Sequence, residues 1–217
     1  MQDPSYPSKA AHRIPRVGNL GYIIALLVMV PLVVLYLDGS IRAFILSVQE
    51  QRGMTVATLV SLLGYGLLNG GIAAVLLSVG LFAGRPREAE AGWLGLLAVI
   101  IGGLSVNGLK LLFCRSRPLA EEAGKFFAVF PCMGKGYALA SFPSGHAVTS
   151  FALAYVLSRT YPKASVIFYA LATLVAFSRV YLASHFLSDV VAGAAIGLFA
   201  GWIVCRLVIF PLGDARR

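Results

Sequence analysis

From Met54 to Ala83 the chain runs for thirty residues without a charged side chain, and this run restricts the available folds more than any other feature. About twenty apolar residues suffice to carry a helix across a bilayer core. Five further runs follow the same rule: Leu20 to Leu37, Ala91 to Lys110, Phe142 to Ser158, Ala164 to Tyr181 and Phe186 to Cys205. With 59% hydrophobic and 12% charged residues, the chain is far more apolar than a soluble domain, in which roughly a quarter of residues are charged. The expected fold is all-α: a polytopic membrane protein built as a six-transmembrane-helix bundle. Pro31 falls inside the first run, where it can kink the helix. The thirty-residue run exceeds a straight crossing and carries Gly64, Gly66, Gly70, Gly71 and Gly80, so it is expected to tilt or to have a non-spanning end.

Residues 1–19 are polar, hold Lys9, Arg13, Arg16 and three prolines, and contain no apolar core ahead of a small-residue cleavage site. They are expected to form a cytoplasmic tail before an uncleaved first span. A single membrane domain then covers 20–210, and 211–217 form a second cytoplasmic tail. Six spans put both termini on one side, together with ten of the eighteen Lys and Arg residues. Three of the eight on the other side are assigned below to a site. The positive-inside bias therefore makes both termini cytoplasmic. It directs the ends of the third and fifth spans, and the starts of the fourth and sixth, to the external or periplasmic face of the inner (plasma) membrane. This bias also explains much of the net charge of +9. Nucleic acid is not an expected partner, because the basic residues lie in short connections and form no stripe.

Three polar clusters meet at that external face. In the stretch Ser178 to Asp189, a cation, an imidazole and a carboxylate sit between two apolar runs, where each is expensive to keep. His185 and Asp189 are four residues apart, about one helical turn, which puts them on one face. A carboxylate there can fix the imidazole tautomer and leave the other ring nitrogen free to attack. The competing account is a histidine that finishes one helix and an aspartate that caps the next. Lys110 and Arg117, seven residues apart, share a face if the helix persists, although Pro118 argues that it loosens there. Alone, they are better read as cations snorkelling to headgroups. Pro143-Ser144-Gly145-His146 opens the fourth span, so Ser144, Gly145 and His146 sit where unpaired N–H groups favour an anion. A plain N-cap accounts for Ser144 but not for His146.

Taken in order, Lys110-x6-Arg117-Pro118, Pro143-Ser144-Gly145-His146 and Ser178-Arg179-x5-His185-x3-Asp189 resemble the three-part signature of the type 2 phosphatidic acid phosphatase superfamily, the lipid phosphate phosphatases. The resemblance covers roughly Lys110 to Asp189 and a compatible six-helix plan; the first ninety residues show only generic membrane character. It implies that His185 attacks phosphorus to give a phosphohistidine, that Asp189 orients and charge-stabilises it, and that His146 protonates the leaving oxygen and then activates water. Lys110, Arg117, Arg179, the Ser144 hydroxyl and the Gly145 N–H would hold the phosphoryl oxygens.

Neither metal nor cofactor is expected, since a two-metal phosphatase needs clustered carboxylates and this face offers Asp189 almost alone. Glu121 and Glu122 read as loop surface. A transporter or channel would spread its charges through the membrane depth instead of gathering them at one face. Vanadate-dependent haloperoxidases share the signature but are soluble. The expected partners are the bilayer and a phosphorylated lipid, such as undecaprenyl diphosphate, phosphatidylglycerol phosphate, phosphatidate or a lipid A phosphate. Between Cys114 and Pro143 an amphipathic piece at the interface is expected, and Cys114 and Cys132 either form a disulfide closing the loop or stay as two unpaired buried thiols. The sequence carries no sign of oligomeric state.

Overall fold

The computed structural model of the protein describes residues 18–127 and 137–214. Most of the N-terminal tail, Cys132 and the last three residues lie outside the described residues. Among the described residues eight α-helices carry the fold: α1 (Gly18–Tyr36), α2 (Asp38–Val48), α3 (Gln51–Leu62), α4 (Gly66–Phe82), α5 (Pro86–Leu112), α6 (Gly145–Thr160), α7 (Ser165–Tyr181) and α8 (Leu187–Asp214). A two-stranded antiparallel ribbon pairs β1 (Cys114–Arg115) with β2 (Phe126–Phe127).

By length and apolarity three of these helices can cross a membrane, or five if each bent pair counts as one span. α6, with 16 residues, is shorter than a typical crossing. The uncharged run from Met54 to Ala83 is a broken span. α3 and α4 meet at 44° across Leu63 to Tyr65, and the Asn69 side chain ties the break by donating to the Leu63 carbonyl at 3.1 Å and the Tyr65 carbonyl at 3.3 Å. Pro31 is carried inside α1. The sharp turn comes later, at Leu37, where α2 leaves α1 at 67°. The expected amphipathic piece after Cys114 is instead the small ribbon, with Phe126 laid on the Arg115 guanidinium at 4.9 Å.

The main core joins α5, α6 and α8 through Leu94, Ala98, Ala152, Tyr155, Val156, Ala200 and Val204. α6 and α8 approach closely because α8 presents glycine every fourth residue. A Cβ on Gly193 would lie 2.6 Å from the Ser144 carbonyl oxygen, and one on Gly197 would lie 2.3 Å from that of Val148. Small residues permit such backbone contact between membrane helices. A second core of Ile45, Ala147, Ala176, Val180 and Val190 lies under the ends of α2, α6, α7 and α8. Large apolar side chains such as Leu67, Phe82, Leu104 and Val166 point outward, as lipid-facing positions do. The C-terminal ends of α5 and α7 and the N-terminal ends of α6 and α8 gather at one end of this bundle, and the polar residues gather with them.

Candidate active site

His185 lies in the short connection between α7 and α8. The end of α7 is a Schellman turn: the Ala183 N–H donates to the Val180 carbonyl at 2.9 Å and the Ser184 N–H to the Arg179 carbonyl at 3.0 Å. Ala183 takes a left-handed conformation, φ 47°, the position such turns usually give to glycine. The turn swings His185 inward until it is buried. Its Nδ1 lies 2.7 Å from the Ser141 carbonyl oxygen. A carbonyl only accepts, so Nδ1 carries the proton and Nε2 keeps its lone pair. Burial pushes the pKa of His185 down to about 4, and the pull of Asp189 in the other direction does not offset it. The ring is therefore neutral at neutral pH.

Asp189 stands 3.6 Å from His185 Nδ1, outside hydrogen-bonding distance. Its carboxylate accepts instead from Arg115 Nη1 at 2.6 Å, Ser141 Oγ at 2.6 Å and the Phe186 N–H at 2.8 Å. The last bond runs back from the third position of α8 to the residue before the helix, as in the returning half of a capping box. Asp189 thus caps α8, with its carboxylate beside His185. The tautomer, however, is set by the backbone of Ser141 and not by the carboxylate.

The helix that carries Lys110 ends at Leu112, short of Arg117, so the two do not share a helical face. Arg117 follows β1, and its Nη1 donates to the Ser184 carbonyl at 2.8 Å, next to His185. Arg179 is buried in the last turn of α7, with Nη1 on Ser61 Oγ at 2.5 Å. Lys110 interacts electrostatically with Arg117, Arg179 and Asp189, and His146 with Arg179, His185, Lys110 and Arg117. Ser144 fills the N-cap position of α6 but makes no side-chain capping bond, so the plain N-cap account of its hydroxyl fails. Its N–H donates to the Asp189 carbonyl at 3.0 Å, which joins the start of α6 to α8. Gly145 opens α6. His146 packs edge-on against Tyr65 at 4.8 Å, in the break between α3 and α4.

Three buried polar atoms in this group, Ser144 Oγ, His146 Nε2 and Arg179 Nε, find no hydrogen-bond partner among the described residues; a fourth, Ser150 Oγ, lies one turn further along α6. A hydroxyl, an imidazole nitrogen and a guanidinium N–H left open together form a set suited to the oxygens of a phosphoryl group.

Sequence reasoning missed three residues. Ser141, fully buried, contacts His185 through its carbonyl and Asp189 through its hydroxyl. Arg115 and Asp38 form a buried ion pair at 2.7 Å behind Asp189. Asp38 is therefore a second carboxylate close to the site, where Asp189 was expected almost alone. Glu122 does lie at the surface, paired with Lys125. Cys114 is disulfide-bonded and Cys205 is a free thiol; the expected partner, Cys132, lies outside the described residues.

The family model described as the PAP2 superfamily matches residues 91–210, more than half of the chain and a stretch that includes all eight expected site residues. The chain belongs to the PAP2 superfamily. It is 35% identical over 121 residues to a lipid A 1-phosphatase of Rhizobium etli, which covers 54% of this chain and 50% of the relative. It is 30% identical over 137 residues to a lipid A 4'-phosphatase of Porphyromonas gingivalis, covering 60% of this chain and 57% of the relative. The chain thus spans about half the length of the curated relatives it matches. Among solved structures it resembles Aquifex aeolicus LpxE, with a TM-score of 0.60 at 25% identity over 78% of this chain and 95% of that one. It shares the fold of a PAP2-type phosphatidylglycerolphosphate phosphatase from Bacillus subtilis, with a TM-score of 0.59 at 21% identity over 88% and 96% of the two chains. PAP2 members of known structure thus include membrane phosphatases with this helical architecture.

Proposed function

We propose that the protein is an integral-membrane phosphatase that removes phosphate from a lipid phosphate or diphosphate through a phosphohistidine intermediate. The observation that carries the reading is His185, its Nδ1 proton held by the Ser141 carbonyl, in the same cluster as the open polar atoms of Ser144, His146 and Arg179. Nε2 of His185 attacks phosphorus, the bond to the lipid oxygen breaks, and that oxygen takes a proton from His146. His146, now neutral, draws a proton from water, which attacks the phosphohistidine and frees phosphate. Lys110, Arg117, Arg179, the Ser144 hydroxyl and the Gly145 N–H bear the charge on the phosphoryl oxygens, and Asp189 stabilises the imidazolium. Both buried carboxylates are already engaged by Arg115, Ser141, Ser188 and backbone N–H groups, which supports a reaction run by cations of the chain without a metal.

The proposed topology is one membrane domain over residues 20–210 with six crossings, α1 leading into α2, α3 with α4, and then α5 to α8, both tails being cytoplasmic. The disulfide at Cys114 supports an active site on an oxidising, external or periplasmic side. Lipid A 1- and 4'-phosphates head the list of candidate substrates because the relatives act on them. The test is phosphate release in detergent, with EDTA present, from lipid A phosphates, undecaprenyl diphosphate, phosphatidylglycerol phosphate and phosphatidate. The expected result is turnover of at least one lipid by the wild type and none by His185→Ala. Full turnover by the variant would refute the nucleophile, and turnover abolished by EDTA would refute the metal-free reaction.

A further inference from the structure

The guanidinium of Arg115 lies between two carboxylates: Nη1 is 2.6 Å from Asp189 and Nη2 is 2.7 Å from Asp38, and none of the three side chains is more than 4% exposed. Phe186 and Phe126 cover its two sides at 4.2 and 4.9 Å. Asp38, the first residue of α2, also accepts the Ser188 N–H at 3.0 Å and the Ser188 hydroxyl. Two carboxylates and one guanidinium leave one net negative charge, sealed from water at the side of His185 that faces away from its free nitrogen. An Arg115–Asp189 pair alone would be neutral and would offer little to an imidazole becoming positive.

We propose that Asp38 is a positioning residue for the phosphatase reaction: by occupying Arg115, it leaves the charge of Asp189 free to stabilise His185 as the imidazole takes up the phosphoryl group. This inference rests on the phosphatase reading above. It also gives the bend between α1 and α2 a purpose, because the turn at Leu37 is what brings Asp38 to the far side of Arg115.

The simpler account makes Asp38 a strut that pins α2 to α8. The two accounts part on the full-length protein carrying Asp38→Asn alone or with Arg115→Gln. The single variant removes the net negative charge, and the double variant restores it by leaving Asp189 without a cation, its carboxylate still accepting from Ser141 Oγ and the Phe186 N–H. The charge account expects Asp38→Asn to lower kcat about 10- to 100-fold, the usual range for outer-shell partners, with KM little changed, and expects the double variant to be faster than the single. A strut expects the double variant to be as slow as the single or slower, and that order would overturn the proposal. Ring-nitrogen NMR of His185, one of three histidines in the chain, gives a readout free of turnover. Its titration should fall in Asp38→Asn and return to within about half a pH unit of wild type in the double variant. If Asp38→Asn does not fold, the double variant decides alone: a His185 titration displaced further than that refutes the charge role. If the wild type hydrolyses no lipid phosphate, the phosphatase reading fails, while the NMR order still judges Asp38.

Discussion

Replacing Asp189 by Asn separates charge from shape at the point where the two meet. The amide is nearly isosteric and still accepts through one oxygen, and the His185 tautomer stays in place because the Ser141 carbonyl holds Nδ1 at 2.7 Å. What disappears is a negative charge 3.6 Å from that nitrogen. At this separation and an effective dielectric of about 20, a full charge is worth about 4 to 5 kcal/mol to an imidazolium. Each 1.4 kcal/mol is a factor of ten, so the upper limit is a loss of about 4,000-fold in kcat. Arg115 already offsets part of that charge, which brings the expected loss to about 10²- to 10³-fold, with KM nearly unchanged because the groups proposed to hold the phosphate are untouched. Rapid quench should locate the loss in phosphohistidine formation. The accompanying loss of the returning capping bond costs about 1 kcal/mol of stability, readable as a lower thermal midpoint in detergent. A loss of activity below tenfold in folded protein would refute the reasoning and leave Asp189 as a cap.

Ser144→Ala removes a buried hydroxyl that has no partner among the described residues; since such a group costs about 1 to 3 kcal/mol, the variant should melt higher than wild type while vanadate protects it less. A lower melting point would mean that the hydroxyl supports the fold. Gly64→Ala would set a Cβ 2.8 Å from Cδ2 of His146 and 2.5 Å from Val175 Cγ1, and the resulting displacement of His146 should lower kcat about 10²-fold; unchanged turnover would release His146 from any need for exact placement. The acid limb of kcat/KM should reflect the His185 pKa near 4 instead of an ordinary value of about 6.5. Activity is then retained as pH falls through 6, because the neutral nucleophile persists until its own lowered pKa is reached. A limb near 6.5 would show that His185 is not buried as described.

The site was legible in the sequence where spacing and chemistry coincide. His185, Asp189 and Arg179 fall within one short stretch, and His146 opens a helix beside Ser144 and Gly145. The structure gathers all of them at one end of the bundle because α5 and α7 end there and α6 and α8 begin there. Partners separated by long stretches of chain were hidden. Asp38 lies 77 residues from Arg115, and no local period predicts that pair; its one sequence signal is a charge placed immediately after an uncharged span. Ser141 was hidden for another reason, since its key contact to His185 is a backbone carbonyl that any residue could supply. The break of the second span at Gly64 was foreshadowed by excess length and glycines. The turn at Leu37 had no such mark: Pro31, the obvious breaker, is accommodated within α1.

The placement of charge explains why the chain tolerates so many ionisable groups at one end of an apolar bundle. The cations Lys110, Arg117 and Arg179 influence one another and His146, and the mutual repulsion of such groups is relieved when an anion arrives among them. The carboxylates are ion-paired to a different cation, with Asp189 and Asp38 closed around Arg115 and below 5% exposure. In the proposed reaction an incoming phosphate would meet cations without first displacing a carboxylate partner, and the negative charge beside His185 would not be spent on substrate binding. Had Asp189 been paired with Arg179 or Lys110, stabilising the imidazolium and holding the phosphate would have competed for the same charges. Arg115, the cation paired with both carboxylates, would remove that competition. Its burial between Phe126 and Phe186 keeps water from screening the arrangement.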